Sequence, residues 1–147
     1  MNAGKSSLAT MLAKDLGNLP PLPVDDFRPD PVPNLPYLQT LNLPLLEAQL
    51  DDRRRVFPTT PTIIEGICLR EVLEGIGRKL DLTIYVKRLS PMGLWHTQFD
   101  LEDYENDPRH PKPPKILWND ELRYHAAYRP HEVADLYFEW TEVSPVG

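Results

Sequence analysis

An α/β fold, with a parallel sheet carrying helices on both faces, is predicted for this 147-residue chain by three features of its sequence. Gly4-Lys5-Ser6-Ser7 opens a segment with apolar residues at helical spacing. Thr62-Ile63-Ile64 is a β-branched run that reads as a buried strand, and Leu82-Thr83-Ile84-Tyr85-Val86 is the clearest strand pattern in the chain. Helical patterns alternate with those strands, and that alternation is the signature of a parallel sheet flanked by helices.

In chain order, Ser6 to Leu16 places apolar residues at Leu8, Met11, Leu12 and Leu16 with Gly17 next, a helix with a glycine stop. Leu22 to Phe27 reads as a short strand. Pro20, Pro21 and Pro23 lack ladder N–H groups and restrict it to the sheet edge. Leu45 to Val56 reads as a helix with Leu46 and Leu50 inward and Asp51, Asp52, Arg53, Arg54 and Arg55 largely solvated. A strand from Thr62 ends at Glu65, and Leu69 to Lys79 follows as a short helix interrupted by Gly75 and Gly77. Past the strand at Leu82 to Val86, Leu89 to Phe99 reads as helical and Glu102 to Pro114 as an acidic, then proline-rich connection. Trp118 to Tyr128 reads as a helix stopped by Pro130, and Leu136 to Trp140 as a last strand. The 17 prolines crowd Pro20 to Pro44 and Pro108 to Pro114, marking these stretches as extended loops.

The size suits one domain spanning residues 1–147, and no stretch approaches the ~20 apolar residues that span a bilayer. A net charge of −6, spread over segments of mixed sign, disfavours a broad nucleic-acid surface and points the local basic residues toward a small anionic ligand. Cys68 is the single cysteine, which leaves neither a disulfide framework nor a cysteine-based zinc site and suits a reducing cytoplasm. His96, His110, His125 and His131 lack metal-ligand spacing and read as surface or packing residues. Trp95, Trp118 and Trp140 read as core or interface anchors, the alternative being that Tyr37 or Trp95 stacks on a substrate ring.

Three groups of residues carry chemistry. Met1 to Ser7 reads as the second half of G-x-x-x-x-G-K-[ST], a loop whose backbone N–H groups cradle phosphates. Asn2, Ala3, Gly4, Lys5, Ser6 and Ser7 would form it, with Lys5 on the phosphates and the Ser6 hydroxyl on Mg²⁺. Its first glycine would fall two positions before Met1, after a strand. The alternative is a plain helix start capped by Ser6 or Ser7. Val24-Asp25-Asp26-Phe27 sets two carboxylates at the end of the predicted edge strand, where open α/β sheets hold ligands. They would serve as a base or sit on waters around Mg²⁺, or else form only the turn before Arg28-Pro29. Glu65-Gly66 ends the second strand in the same way, either orienting Mg²⁺ or capping the next helix.

The order Gly4-Lys5-Ser6-Ser7, Asp25-Asp26-Phe27, Glu65-Gly66-Ile67 and Leu82 to Val86 resembles the uridine kinase and nicotinamide riboside kinase group of P-loop kinases. Tyr124-His125-Ala126-Ala127-Tyr128-Arg129-Pro130 and Ala134-Asp135 resemble that group's last helix and the approach to its last strand. The resemblance implies a P-loop NTPase-type sheet whose first, central strand is missing from this chain. It also implies an ATP- and Mg²⁺-dependent phosphotransferase acting on a hydroxyl of a nucleoside-like or other small metabolite. On it, Asp25 is the base or water organiser, Glu65 lies at the same centre, and Phe27 and Tyr37 belong to the acceptor side. Members of the group carry an arginine-bearing lid, whereas Leu89 to Asp107 contains no lysine or arginine. Among Arg88, Arg109, Lys112, Lys115 and Arg123, Arg88 is the first candidate to neutralise transition-state charge, because it follows the strand directly. The alternatives are a nucleotide-binding relative without catalysis, or an interaction protein that kept the fold and lost the ligand.

Overall fold

Short parallel strands and helices alternate along the chain in the computed structural model, which describes residues 4–29, 35–108 and 116–143. The fold is mixed α/β, and among the described residues the strands pair in two separate two-stranded parallel sheets. The chain divides into two compact units, Gly4–Lys79 and one that runs on from Leu80. Among the described residues, no helix is long and apolar enough to cross a membrane.

In the first unit, α1 spans Lys5–Asp15. It stops where Gly17, at φ 118°, takes the left-handed conformation that a side chain disfavours, so that the Asn18 N–H reaches back to the Ala13 carbonyl at 2.7 Å. The face it buries is not the predicted one. Ala9 and Ala13 are buried at 4% and 5% exposure, whereas Met11 is 64% exposed and Leu8 and Leu12 are half-buried. α1 packs against β2 (Ile64–Glu65), and alanines one turn apart permit the closest approach of a helix to a strand, displacing the bulkier residues to its flanks.

β1 is only Leu22–Pro23 and pairs parallel with β2, Leu22 opposite Ile64 and Pro23 opposite Glu65. The predicted strand through Phe27 gives way at Val24–Phe27 to one turn of 3₁₀-helix. Its i, i+3 repeat buries Val24 and Phe27 together and turns Asp25 and Asp26 outward. The predicted strand from Thr62 likewise shortens to β2.

A second 3₁₀ turn, Tyr37–Thr40, leads to α2, Leu43–Val56. The Asn42 side chain accepts from the Leu45 N–H at 3.2 Å, while its own N–H donates to the Phe27 carbonyl at 2.8 Å. Leu46 is fully buried and Leu50 half-buried. Of the arginine run, Arg54 and Arg55 face water, but Arg53 donates to the Pro20 carbonyl. The helix expected to reach Lys79 is α3, Leu69–Gly75, with Val72 and Leu73 in the core. Gly77, at φ 67°, ends it by letting the Arg78 N–H bond to the Leu73 carbonyl at 2.9 Å.

In the second unit, β3 (Ile84–Leu89) and β4 (Leu136–Thr141) pair over their full six-residue lengths. The Asp135 carboxylate fixes the register at the start, accepting from the Thr83 N–H at 2.7 Å and from its hydroxyl at 2.8 Å. The helix expected over Leu89 to Phe99 is absent. Pro91 and Gly93 (φ 78°) form a turn instead, closed by the Ser90 N–H on the Leu94 carbonyl at 2.8 Å, and Trp95 returns beside Leu89. α4 occupies Gln98–Asn106, covering Glu102 to Asn106 where a connection was predicted. α5 is Ile116–Tyr128 and packs on α4. Pro130 ends α5 as expected and opens α6, Pro130–Val133. The side chain of Trp118 lies outside the described residues.

His125 and His131 pack with Tyr85 and Trp95 in one aromatic cluster, ring centroids 5.1 to 6.3 Å apart. His125 Nδ1 faces the Glu121 carbonyl at 2.6 Å, so that nitrogen bears the proton, and Nε2 accepts from the Tyr85 hydroxyl at 2.8 Å. The His131 side chain is 10% exposed, and its buried Nδ1 has no hydrogen-bond partner among the described residues. Burial holds His131 below the usual histidine value of 6.5; Arg129 and Lys87 add to this, and Glu132 and Glu105 oppose it. The unfolded chain therefore binds this proton more readily. The stability that neutral His131 contributes is present above about pH 6.5 and is lost as pH falls through the lower folded value. We expect the thermal midpoint to fall from pH 7 to pH 5 and His131→Phe to flatten that slope; an identical slope in the variant excludes His131 as its source.

Candidate functional site

Three of the chemistry-bearing groups lie in the unit Gly4–Lys79. Gly4, at φ 78° and ψ 5°, is the residue that caps α1, and among the described residues no side chain caps that helix. Ser6 and Ser7 therefore do not serve as the N-cap. The first helical turn carries no acidic residue, so its N–H groups and the positive end of the helix dipole favour an anion. Lys5 is half-exposed, Ser7 is exposed, and among the described residues Lys5 makes no ion pair. Asn2 and Ala3 lie outside the described residues.

Ser6 does something a helix cap would not. Its hydroxyl donates to Glu65 Oε1 at 2.9 Å, joining the start of α1 to the carboxyl end of β2 across 59 residues of chain. The Thr10 hydroxyl donates to the Ser6 carbonyl at 2.9 Å and steadies that turn. Gly66, next in the chain, is where the site is tightest. A Cβ there would lie 2.9 Å from Val24 Cβ, so the segment leading to Asp25 and the segment leaving Glu65 approach closer than side chains permit.

Because β1 and β2 are parallel with Pro23 opposite Glu65, Asp25 follows the same strand ends from which Glu65 projects. Asp25 is exposed and accepts the Tyr37 hydroxyl at 2.5 Å. Tyr37 is 2% exposed, and its own 3₁₀ turn is held by the Thr40 hydroxyl on the Tyr37 carbonyl at 2.7 Å. Burial foremost, then the hydrogen bond to Asp25 and that carboxylate's charge, keep the Tyr37 hydroxyl protonated far beyond its ordinary range; Arg28 opposes this weakly. The Arg28 guanidinium carbon lies 5.9 Å from the Tyr37 ring centre, and its Nε is buried without an acceptor among the described residues. Phe27 is buried, so neither it nor Tyr37 presents a ring face to solvent. The hydrogen bond from Tyr37 to Asp25 has no local signal in the sequence, and the Arg28 side chain lies against the Tyr37 ring.

Arg88 belongs to the other unit, on β3. It pairs with Glu142 beyond the end of β4, its guanidinium carbon lies 5.4 Å from the Trp140 ring centre, and His96 Nε2 is 3.5 Å from the same carboxylate. Arg123 contacts Asp120 at 3.8 Å, while Arg109, Lys112 and Lys115 lie outside the described residues.

Among the described residues, no three His, Cys, Asp or Glu side chains converge as a metal cage. Mg²⁺ at phosphate sites needs no such cage, since one or two protein oxygens plus waters and phosphates suffice, and the adjoining Ser6 hydroxyl and Glu65 carboxylate are hard oxygen donors of that kind. Compared with known proteins, the chain matches no family model, no curated protein and no solved structure.

Proposed function

We propose that the protein is an ATP-dependent phosphotransferase of the P-loop kind, related to the uridine kinase and nicotinamide riboside kinase group and working in the cytoplasm on a hydroxyl of a nucleoside-like or other small metabolite. The observation that carries this reading is the 2.9 Å hydrogen bond from Ser6 to Glu65, which unites a Gly-Lys-Ser helix start with a strand-end carboxylate. Lys5 and the N–H groups of the first turn of α1 bind phosphate oxygens. Ser6 and Glu65 would hold Mg²⁺, which when bound neutralises phosphate charge. Asp25 accepts the proton of the acceptor hydroxyl, and positioning supplies most of the catalysis.

Heating the protein with and without Mg²⁺-ATP tests the nucleotide site. A ligand that binds only the folded state raises stability by about 2.7 kcal/mol at 100 times its Kd, so a clear rise in midpoint is expected, and Lys5→Ala should remove most of it. No rise at saturating nucleotide would sink the proposal. A second reading, binding without transfer, is favoured by the engagement of Arg88 with Glu142 and by the absence of lysine and arginine from Leu89 to Asp107. A thermal shift unaccompanied by transfer of labelled phosphate to any of a panel of hydroxyl acceptors would select it.

A further inference from the structure

We infer that Tyr37 is a positioning residue for Asp25, holding one carboxylate oxygen so that the other faces the acceptor hydroxyl. The inference rests on the phosphotransferase reading above and gives Tyr37 a role other than contact with the acceptor.

Asp25 sits in a single 3₁₀ turn with its side chain toward solvent. The terminal torsion of an aspartate is soft and broad, so a carboxylate in that setting samples many orientations unless something fixes it. The Tyr37 hydroxyl, 2.5 Å from Oδ1, is the fixing group, and it is itself immobile. Its ring is buried, its backbone turn is closed by Thr40, and the Arg28 guanidinium covers a ring face. A phenol has one proton to give, and this one stays on its oxygen throughout the working pH range, so Tyr37 donates to Asp25 and takes no proton from it. Oδ2 is left to receive the proton of the acceptor hydroxyl as that oxygen bonds to the γ-phosphorus and the bond from the γ-phosphorus to the departing ADP breaks.

The same geometry argues against Tyr37 as a stacking platform. With 2% of its surface accessible, the ring has no open face for a substrate base, whereas its one polar atom is spent on the candidate base. Arg28 completes the arrangement from three residues beyond Asp25, its N–H closing the 3₁₀ turn on the Asp25 carbonyl at 3.1 Å.

Two measurements on the full chain test this. By proton NMR, a slowly exchanging hydroxyl proton assigned to Tyr37 is expected in the wild type and should disappear in Asp25→Ala; if the wild type shows none, the contact and the inference both fall. In steady-state kinetics, Tyr37→Phe keeps the ring and its packing, so the fold is expected to survive. Its kcat should drop roughly 10- to 100-fold, the scale of a misplaced catalytic group, with the KM values for nucleotide and acceptor within about twofold of wild type. A raised acceptor KM at unchanged kcat would overturn positioning in favour of substrate contact. If the wild type itself transfers phosphate to no acceptor, the phosphotransferase reading fails and takes the catalytic meaning of the pair with it. The hydroxyl resonance still separates that outcome from loss of the contact.

Discussion

Gly66→Val is expected to cost about 3 kcal/mol of stability, the upper end of ordinary overpacking, and to lower the thermal midpoint by roughly 6–12 °C at ~2–4 °C per kcal/mol for a chain of this size. The reason is geometric. Even an alanine Cβ at this position would lie 2.9 Å from the Cβ of Val24. Val24 has no exposed surface, and a Cβ cannot rotate away as the end of a long side chain can, so backbone has to move. The backbone in question runs from Pro23 to Asp25 on one side and from Glu65 to Cys68 on the other. Gly66→Val should thus also separate the two strand-end carboxylates, reducing nucleotide-dependent stabilisation beyond what the loss of fold explains. Gly66→Ala should fall between wild type and valine. Chemical denaturation of the three proteins checks the ranking, and a valine variant as stable as wild type would show that the two segments are not held this close.

Asp25→Asn should lower kcat by about 10²- to 10⁴-fold, the range by which a positioned general base accelerates proton transfer. Asparagine keeps the shape of the side chain, and its oxygen can still accept the Tyr37 hydroxyl, so the fold and the Mg²⁺-ATP thermal shift should be retained. The neighbouring Asp26, equally exposed in the same turn, is the control: Asp26→Asn should stay within about threefold of wild type. Equal losses in both variants would mean that the turn's net charge matters and that Asp25 has no individual role.

Features of the fold that depend on residues near one another in sequence were readable in advance. The glycines at positions 4 and 17 bracket α1 almost to the residue, the apolar run at Leu82 marks β3, and Pro130 closes α5. Reading failed where tertiary fit selects among local options. Leucine spacing nominated one face of α1, but closeness to β2 selects Ala9 and Ala13, and helical spacing does not distinguish a small-residue face from a large-residue one. Between Leu89 and Phe99, an apparent helical pattern yields to the local chemistry of Ser90-Pro91-Met92-Gly93.

The candidate site divides along the same line. Motif and strand-end position alone bring Ser6 and Glu65 to the carboxyl end of one parallel strand, and their side chains meet there. The link between Tyr37 and Asp25 spans a proline-rich loop whose path no periodicity reveals. The run Leu82 to Val86 puts Arg88 just past a strand, yet Arg88 lies within β3 and its partner is Glu142, 54 residues further along in the sequence.

The prolines before Asp25 bear on how this chain behaves at high concentration. Between Pro20 and Pro23, the one backbone N–H belongs to Leu22, and it is already given to the Ile63 carbonyl at 2.8 Å. On its outer side, β1 therefore has no donor left to offer, and the Pro20 carbonyl is taken by Arg53. A strand edge without free donors is a weak template for another chain, which makes this edge a poor seed for edge-to-edge aggregation even though its partner strand carries Ile64.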